Sequence, residues 1–226
     1  MLTLLTATGA RPEAFALCQR WMAAQTFAGP VRWIVVDDGP EPSPITFKRA
    51  GWQIERVRPF PLWKPVDNTQ ARNLLAGLVL CDRDSRLLII EDDDHYAPTW
   101  LDTCARELER AELVGETKAR YYNIASRIGR QLNNTGHSSL CSTAMRGAAI
   151  DTFYSICRPG VKFIDMQLWR QHPSKHLFSG HGVTGIKGLP GRAGIGMGHR
   201  RSFSGSSDQN LSLLREWIGE DAEFYA

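Results

Sequence analysis

Four consecutive carboxylates, Glu91–Asp94, follow an apolar run of four residues, Leu87–Ile90. Such a run predicts a strand that is buried on both faces of a parallel sheet. Adjacent carboxylates in a crevice repel one another unless a cation lies between them. Mg²⁺ and Mn²⁺ prefer oxygen ligands of this kind and also bind phosphate oxygens. The acidic tetrad (Glu91–Asp94) therefore predicts a divalent-ion site, with a solvated acidic turn before a helix as the alternative.

Further carboxylates come at the ends of other predicted elements. Asp37 and Asp38 end the β-branched run Val31–Val36, and Asp165 opens a short helix predicted over Ile164–Arg170. Open α/β sheets bind ligands in the crevice at the carboxyl ends of their strands. We therefore expect these carboxylates to share one crevice with the acidic tetrad.

The stretch Met166–Ser207 contains no Asp or Glu and is rich in glycine and histidine, although the net charge of the whole chain is only +3. Its basic residues are Arg170, Lys175, Lys187, Arg192, Arg200 and Arg201. Backbone N–H groups without side chains over them, and cations, both bind phosphate oxygens. This basic segment therefore predicts a polyanion site, and a flexible solvated loop is the alternative.

Strand and helix patterns alternate along the chain. Strands are predicted at Leu2–Thr6, Val31–Val36, Gln53–Arg58, Leu87–Ile90 and Tyr121–Ser126, and helices at Pro12–Gln25, from Asn68 or Thr69 to Leu80, Trp100–Val114, Met145–Ile156 and Ile164–Arg170. Such alternation predicts one α/β domain over residues 1–226, a three-layer fold with a mostly parallel sheet and helices on both faces. A C-terminal segment, about 172–207, is expected to complete the active site.

Composition excludes several classes of protein. A hydrophobic fraction of 42% with 23% charged residues excludes a disordered or fibrous chain. The longest apolar stretch, Leu74–Cys81, is too short to span a bilayer. The five cysteines form no CxxC pair, so neither a disulfide framework nor a zinc site is expected. With no signal-peptide pattern before Ala7, these features predict a cytoplasmic protein that does not bind membranes.

Four motifs resemble, in order, those of the family 2 glycosyltransferases. Val35–Gly39 resembles the family's "VVDDGS" turn, and Ala71–Asn73 its "ARN" element. Ile89–Pro98 is similar to the metal-binding DXD segment, and Ile164–Arg170 to the "EDxxLxxR" helix, although Ile164 stands where the family has Glu. The resemblance runs over about Leu2–Arg170. It implies a GT-A fold and transfer of a sugar from a nucleoside-diphosphate sugar to an acceptor hydroxyl.

The resemblance also implies roles for individual residues. Asp165 would be the catalytic base of an inverting enzyme, and a Mn²⁺ or Mg²⁺ ion would be held by Asp93, Asp94, and His181 or His199. Donor contacts would come from Thr6, Thr8, Arg11, Asp37, Asp38, Arg72 and Asp92, with Lys187, Arg192 and Arg200 on the diphosphate. His181 and Lys187, six residues apart, resemble a pair that binds the metal and the diphosphate in family 8 retaining enzymes. The stereochemical outcome therefore stays open.

The acceptor and two other function classes also stay open. The positive charge of the basic segment admits a polyanionic acceptor, such as DNA that carries a hydroxymethylated base, beside saccharide and protein acceptors. A nucleotidyltransferase would likewise place carboxylates on an α/β sheet, but Thr8–Pro12 is a poor version of its Gly-rich phosphate loop. A non-catalytic nucleotide- or glycan-binding module is the third possibility.

Overall fold

A computed structural model describes residues 1–65, 67–194, 196–200 and 202–226. The strands are β1 (Leu2–Thr8), β2 (Val31–Asp37), β3 (Trp52–Val57), β4 (Arg86–Ile89), β5 (His95–Tyr96), β6 (Leu113–Glu116), β7 (Arg120–Asn123), β8 (Ile128–Gln131), β9 (Thr143–Arg146), β10 (Lys175–Phe178), β11 (Val183–Lys187) and β12 (Ser206–Ser207). The helices are α1 (Pro12–Ala23), α2 (Gln70–Leu78), α3 (Trp100–Glu107), α4 (Ala148–Ile156), α5 (Ile164–Gln171) and α6 (Ser212–Ile218). Within these described ranges no helix is long and apolar enough to cross a membrane. Arg201, one of the basic residues noted above, lies outside the described residues.

The main sheet has seven strands in the order β10-β6-β9-β4-β1-β2-β3. β1 pairs in parallel with β2 and β4, and β2 pairs in parallel with β3. β9 is antiparallel to both of its neighbours, β4 and β6, and β10 is parallel to β6. The prediction of a mostly parallel sheet is therefore confirmed.

Helices cover both faces of this sheet. On one face, Phe15 of α1 and Leu101 of α3 belong to one apolar cluster. On the other face, Leu74 of α2, Phe153 of α4 and Leu168 of α5 belong to a second cluster. Each cluster removes a continuous apolar surface from water, which is the main force that holds such layers together. The three-layer α/β fold is confirmed.

The register of the central strands places the predicted site residues at one edge of the sheet. Thr8 of β1 lies opposite Asp37 of β2, and the Asp38 N–H donates to the Thr8 carbonyl at 3.2 Å. Gly9 follows with a φ of +150°, and a Cβ at this position would collide with the Asp38 side chain. Only glycine suits this turn. The turn brings the chain after β1 against the chain after β2.

A second sheet of five strands, in the order β12-β8-β7-β11-β5, was not predicted from the sequence. β11 lies between β7, to which it is parallel, and β5, to which it is antiparallel. The two residues of β5 directly follow the acidic tetrad, and β11 belongs to the basic segment. The second sheet therefore joins the basic segment to the acidic tetrad.

Two predicted helices were too long. The helix predicted to reach Val114 ends at Glu107, because Leu113 and Val114 are fully buried in strand β6. The helix predicted from Met145 starts at Ala148, because Met145 belongs to β9. Gly147, at a φ of +55°, separates the strand from the helix. Apolar periodicity alone does not distinguish a short buried strand from a neighbouring helical turn.

Candidate active site

The two aspartates after β2 have different surroundings. Asp37 accepts hydrogen bonds from the backbone N–H groups of Gly39 at 3.0 Å and Ser43 at 2.6 Å. It therefore stabilises the loop that follows β2. The fully buried Asp38 accepts from Thr69 Oγ1 at 2.5 Å, and its ion pairs reach Arg72 Nη2 at 2.8 Å and Arg192 Nη1 at 2.9 Å. Asp38 thus joins the end of β2, the start of α2 and the basic segment.

Asp92 is tied to the chain that follows β1. Its Oδ2 accepts from Thr8 Oγ1 at 2.6 Å, and its Oδ1 lies 2.5 Å from Arg11 Nη2. Burial raises the pKa of Asp92 to about 6, although the neighbouring Arg11 opposes this shift. The same guanidinium reaches Asp93 Oδ2 at 3.0 Å, so Arg11 bridges two carboxylates of the acidic tetrad.

Asp93 has three basic neighbours: Arg11, Lys187 at 3.2 Å from Oδ1, and His199 Nε2 at 3.3 Å from Oδ2. Burial would raise its pKa, but these three groups together hold the pKa of Asp93 well below its usual range. Asp93 is therefore ionised at neutral pH. Two of these neighbours, Lys187 of β11 and His199, belong to the basic segment, so Asp93 links this segment to the acidic tetrad.

The other two members of the tetrad face the second sheet and α2. Asp94 Oδ1 accepts from the Ile186 N–H at 2.9 Å and from Lys187 Nζ at 2.6 Å. Glu91 accepts from Gln70 Nε2 at 2.8 Å. Burial raises the pKa of both carboxylates, against the opposing effect of Lys187. Asp94 Oδ2 is buried without a hydrogen-bond partner among the residues described.

The described residues 188–194 and 196–200 of the basic segment contact the site. The Arg192 N–H donates to the Ala10 carbonyl at 3.1 Å, and its guanidinium lies 4.8 Å from the centre of the Trp63 ring. Gly191, at a φ of +95°, packs on the Ala10 carbonyl, which a Cβ would meet at 2.6 Å. The Gly198 carbonyl accepts from Asn123 Nδ2 at 2.8 Å. These contacts bring Arg192 to Asp38 and His199 to Asp93. The Arg200 side chain, next along the chain, is exposed.

Five of the predicted site residues have no side-chain contact with this cluster among the described residues: Thr6, Asp37, Asp165, His181 and Arg200. Thr6 is buried in β1, where its hydroxyl accepts from Trp33 Nε1 at 2.9 Å. His181 lines a separate cavity of about 350 Å³ beside Glu116. Asp165 lies in the first turn of α5, and burial raises the pKa of its carboxyl, which the charge of His137 opposes.

The predicted divalent ion can be tested against this geometry. Of the four predicted ligands, Asp93 and His199 lie together, while Asp94 is paired with Lys187 and His181 lies elsewhere. In the described ranges, the one group of three possible ligands within 4.8 Å of one another is Glu91, Asp94 and Cys141. Burial raises the pKa of the Cys141 thiol, and Mg²⁺ and Mn²⁺ prefer oxygen ligands. The residues in this arrangement do not fit the ion.

Sequence reasoning missed two residues that build the site. Thr69 was expected at most to cap α2, but its hydroxyl donates to Asp38 and accepts from Arg192 Nη2 at 2.7 Å. Trp63 belongs to none of the predicted elements, yet its backbone N–H donates to the Asp38 carbonyl at 2.8 Å. Their nearness to the "ARN" element, Ala71–Asn73, was the only signal in the sequence.

Comparisons with known proteins show the fold. No family model matches the sequence, and no curated protein matches it. The solved structure of S. aureus TarS 1-349 in complex with UDP-GlcNAc is 12% identical, with a TM-score of 0.58 over 88% of this chain and 61% of that chain. TarS 1-349 in complex with UDP gives a TM-score of 0.54 at 11% identity, over 82% and 60%. The chain thus spans about 60% of the length of these structures, and it has a GT-A-like fold.

Proposed function

We propose that this protein is a glycosyltransferase that uses a nucleoside-diphosphate sugar as donor. One observation carries the proposal: the carboxylates after β2 and β4, the start of α2 and the basic segment converge at one edge of a GT-A-like sheet. TarS 1-349, which has a similar fold, was solved in complex with UDP-GlcNAc and with UDP. These complexes support the same donor class here.

Different residues of the chain would contact the ribose and the diphosphate of the donor. Asp92, held by Thr8 and Arg11, would accept hydrogen bonds from the ribose hydroxyls. Asp38 orients the guanidinium groups of Arg72 and Arg192 through its two oxygens. In the basic segment, glycine N–H groups and the exposed Arg200 would bind the diphosphate. Such donors stabilise the charge that develops on the leaving group.

Asp165 would act on the acceptor. The acceptor hydroxyl oxygen forms a bond to the anomeric carbon, the bond from that carbon to the diphosphate oxygen breaks, and the proton passes to the Asp165 carboxylate. Burial raises the pKa of Asp165, which makes its ionised form a stronger base than an exposed aspartate. The role rests on this environment and on the resemblance of Ile164–Arg170 to the helix that carries the base.

A polyanionic acceptor has less support after the contacts of the basic segment are known. Lys187 and Arg192 are paired with carboxylates of the site, and Lys175 Nζ donates to the Trp169 carbonyl at 2.6 Å. Arg170 and Arg200 are exposed. The five basic residues of this segment that lie within the described ranges therefore do not form one free cationic surface, and a DNA acceptor stays a prediction.

A thermal-shift screen of nucleoside diphosphates, followed by assays of nucleotide-sugar turnover, tests the proposed function. A ligand that binds only the folded state at one hundred times its Kd stabilises it by about 2.7 kcal/mol, which is readily measured as a rise in Tm. We expect a nucleoside diphosphate to raise Tm and its sugar derivative to release that diphosphate. Release of pyrophosphate would identify a nucleotidyltransferase, and binding without turnover a binding module.

Arg200→Ala should weaken binding of the nucleoside diphosphate about tenfold, because one hydrogen bond to a charged group contributes about 1.5–3 kcal/mol. Isothermal titration calorimetry measures the change. Arg170→Ala is the matched control, since Arg170 is also exposed and lies in the basic segment, but on α5. Equal affinities of the two variants would remove Arg200 from the donor site.

A further inference from the structure

Lys187 lies in the middle of the acidic tetrad. Its Nζ is 2.6 Å from Asp94 Oδ1, 3.2 Å from Asp93 Oδ1 and 3.9 Å from Glu91 Oε2. The side chain is only 6% exposed. A lysine so deeply buried is rare unless carboxylates surround it. Lys187 is therefore the internal counter-ion of three of the four acidic residues.

Two elements fix the lysine in this position. Lys187 is the last residue of β11, and the N–H of the preceding Ile186 donates to the same Asp94 oxygen that Nζ contacts. On the other side, Gly198 packs on the stem of the lysine, where a Cβ would meet Cγ at 2.7 Å. The backbone of the second sheet and the loop after it thus hold the ammonium group between the carboxylates.

The charges of the site nearly balance without an ion. The acidic groups are Asp38, Glu91, Asp92, Asp93 and Asp94, and the basic groups paired with them are Arg11, Arg72, Lys187 and Arg192. His199 adds a further donor to Asp93 when it is protonated. The repulsion among adjacent carboxylates, from which a Mg²⁺ or Mn²⁺ ion was predicted, is therefore relieved by side chains of the chain itself.

We infer that Lys187 takes the place of the divalent ion, so that this protein binds a nucleoside diphosphate without one. A Mg²⁺ ion held by Asp93 and Asp94 would need their oxygens at about 2.0–2.1 Å, and the lysine nitrogen already lies within hydrogen-bond distance of both. An ion bound there would also lie against the ammonium group of Lys187, a buried charge of the same sign. The part of this inference that concerns nucleotide binding rests on the proposed function. The part that concerns the metal ion does not.

Lysine offers three N–H donors. Two of them account for the bonds to Asp93 and Asp94, and the contact with Glu91 is beyond hydrogen-bond distance. In the described part of the chain the third donor has no hydrogen bond, and it would be free for a phosphate oxygen of the donor. A single ammonium in this position supplies both the internal charge balance and one contact to the diphosphate.

Titration with Mn²⁺ alone tests the inference without any nucleotide. We expect no rise in Tm for the wild-type protein in excess Mn²⁺ over EDTA. Lys187→Gln removes the ammonium and leaves Asp93, Asp94 and Glu91 for a metal, so the same Mn²⁺ should raise its Tm by about 5 °C. Lys175→Gln, a matched change in a lysine outside the tetrad, should gain no such response.

Calorimetry with UDP, in EDTA and in Mn²⁺, completes the test. We expect the wild-type Kd to agree within about twofold between the two buffers. A wild-type protein that is stabilised by Mn²⁺ alone, or that binds UDP only with Mn²⁺, would overturn the inference while leaving the proposed transferase intact. If Lys187→Gln does not fold, the wild-type measurements and Lys187→Arg, which should also ignore Mn²⁺, still decide the question. Failure of every nucleotide to bind would instead contradict the proposed function.

Discussion

Asp165→Asn should abolish sugar transfer, with a loss of about 100-fold or more in kcat. General base catalysis contributes about 10²–10⁴-fold, and an amide cannot accept the proton of the acceptor hydroxyl. The loss should appear in kcat, whereas the Kd of the nucleoside diphosphate should stay within about twofold of wild type. Steady-state kinetics and calorimetry on the same preparation separate the two effects.

The same variant should be at least as stable as the wild type at pH 7. Burial raises the pKa of Asp165 in the folded state, so ionising this carboxyl at neutral pH disfavours folding. The stability that the neutral form contributes is complete below the unfolded pKa of about 3.9 and is lost as the pH rises through the folded value. Asparagine has no charge to bury. Urea unfolding at pH 4 and pH 7 measures this dependence.

Asp151→Asn is a matched control for both measurements. Asp151 also lies in the first turn of a helix, α4, but its carboxylate is half-exposed and pairs with the exposed Arg83 at 3.2 Å. Its replacement should leave transfer unchanged. Transfer by Asp165→Asn within a few fold of wild type would mean that another group is the base. Equal losses of transfer in Asp165→Asn and Asp151→Asn would mean that removing a carboxylate from a helix N-terminus causes the effect.

The sequence predicted the parts of the fold that depend on local pattern. Val31–Val36 is a run rich in β-branched residues and Leu87–Ile90 is a continuous apolar run, and the structure has strands in both places. Because parallel strands end at the same edge of a sheet, the sequence also predicted that the carboxylates after these two strands share one crevice. The length of α3 did not, since the apolar spacing of Leu108 and Ala111 is also compatible with a helix.

The partners of the acidic tetrad could not be predicted from local pattern. Lys187 is more than ninety residues away from Asp93 and Asp94, and it reaches them only because β11 pairs with β5 directly after the tetrad. A two-residue strand such as β5 has too few positions to show the alternation that predicts a strand. Composition predicted that the cations of the basic segment bind a polyanion, whereas Lys187 and Arg192 pair with carboxylates of the chain itself.

Asp38→Ala should lower the free energy of unfolding by about 3 kcal/mol, the low end of the cost of removing one partner from a buried ion pair. Asp38 is fully buried, whereas the side chains of Arg72 and Arg192 are 20% and 13% exposed, so water would partly relieve the loss. Without the carboxylate, both guanidinium groups and the Thr69 hydroxyl lose a common acceptor. Urea unfolding monitored by circular dichroism measures the midpoint, and an unchanged m-value would show that the same structure unfolds.

Arg192→Ala removes the ion pair between Asp38 and the basic segment. This variant removes one of the two cations but leaves Asp38 paired with Arg72 and Thr69, so we expect a smaller loss of about 1–2 kcal/mol. Both variants should also weaken binding of the nucleoside diphosphate, because each releases the basic segment from Asp38. If Asp38→Ala lowers the free energy of unfolding no more than Arg192→Ala does, the ion pair between Asp38 and Arg72 does not stabilise this edge of the sheet. Asp38 would then stabilise the fold only through its ion pair with Arg192 of the basic segment.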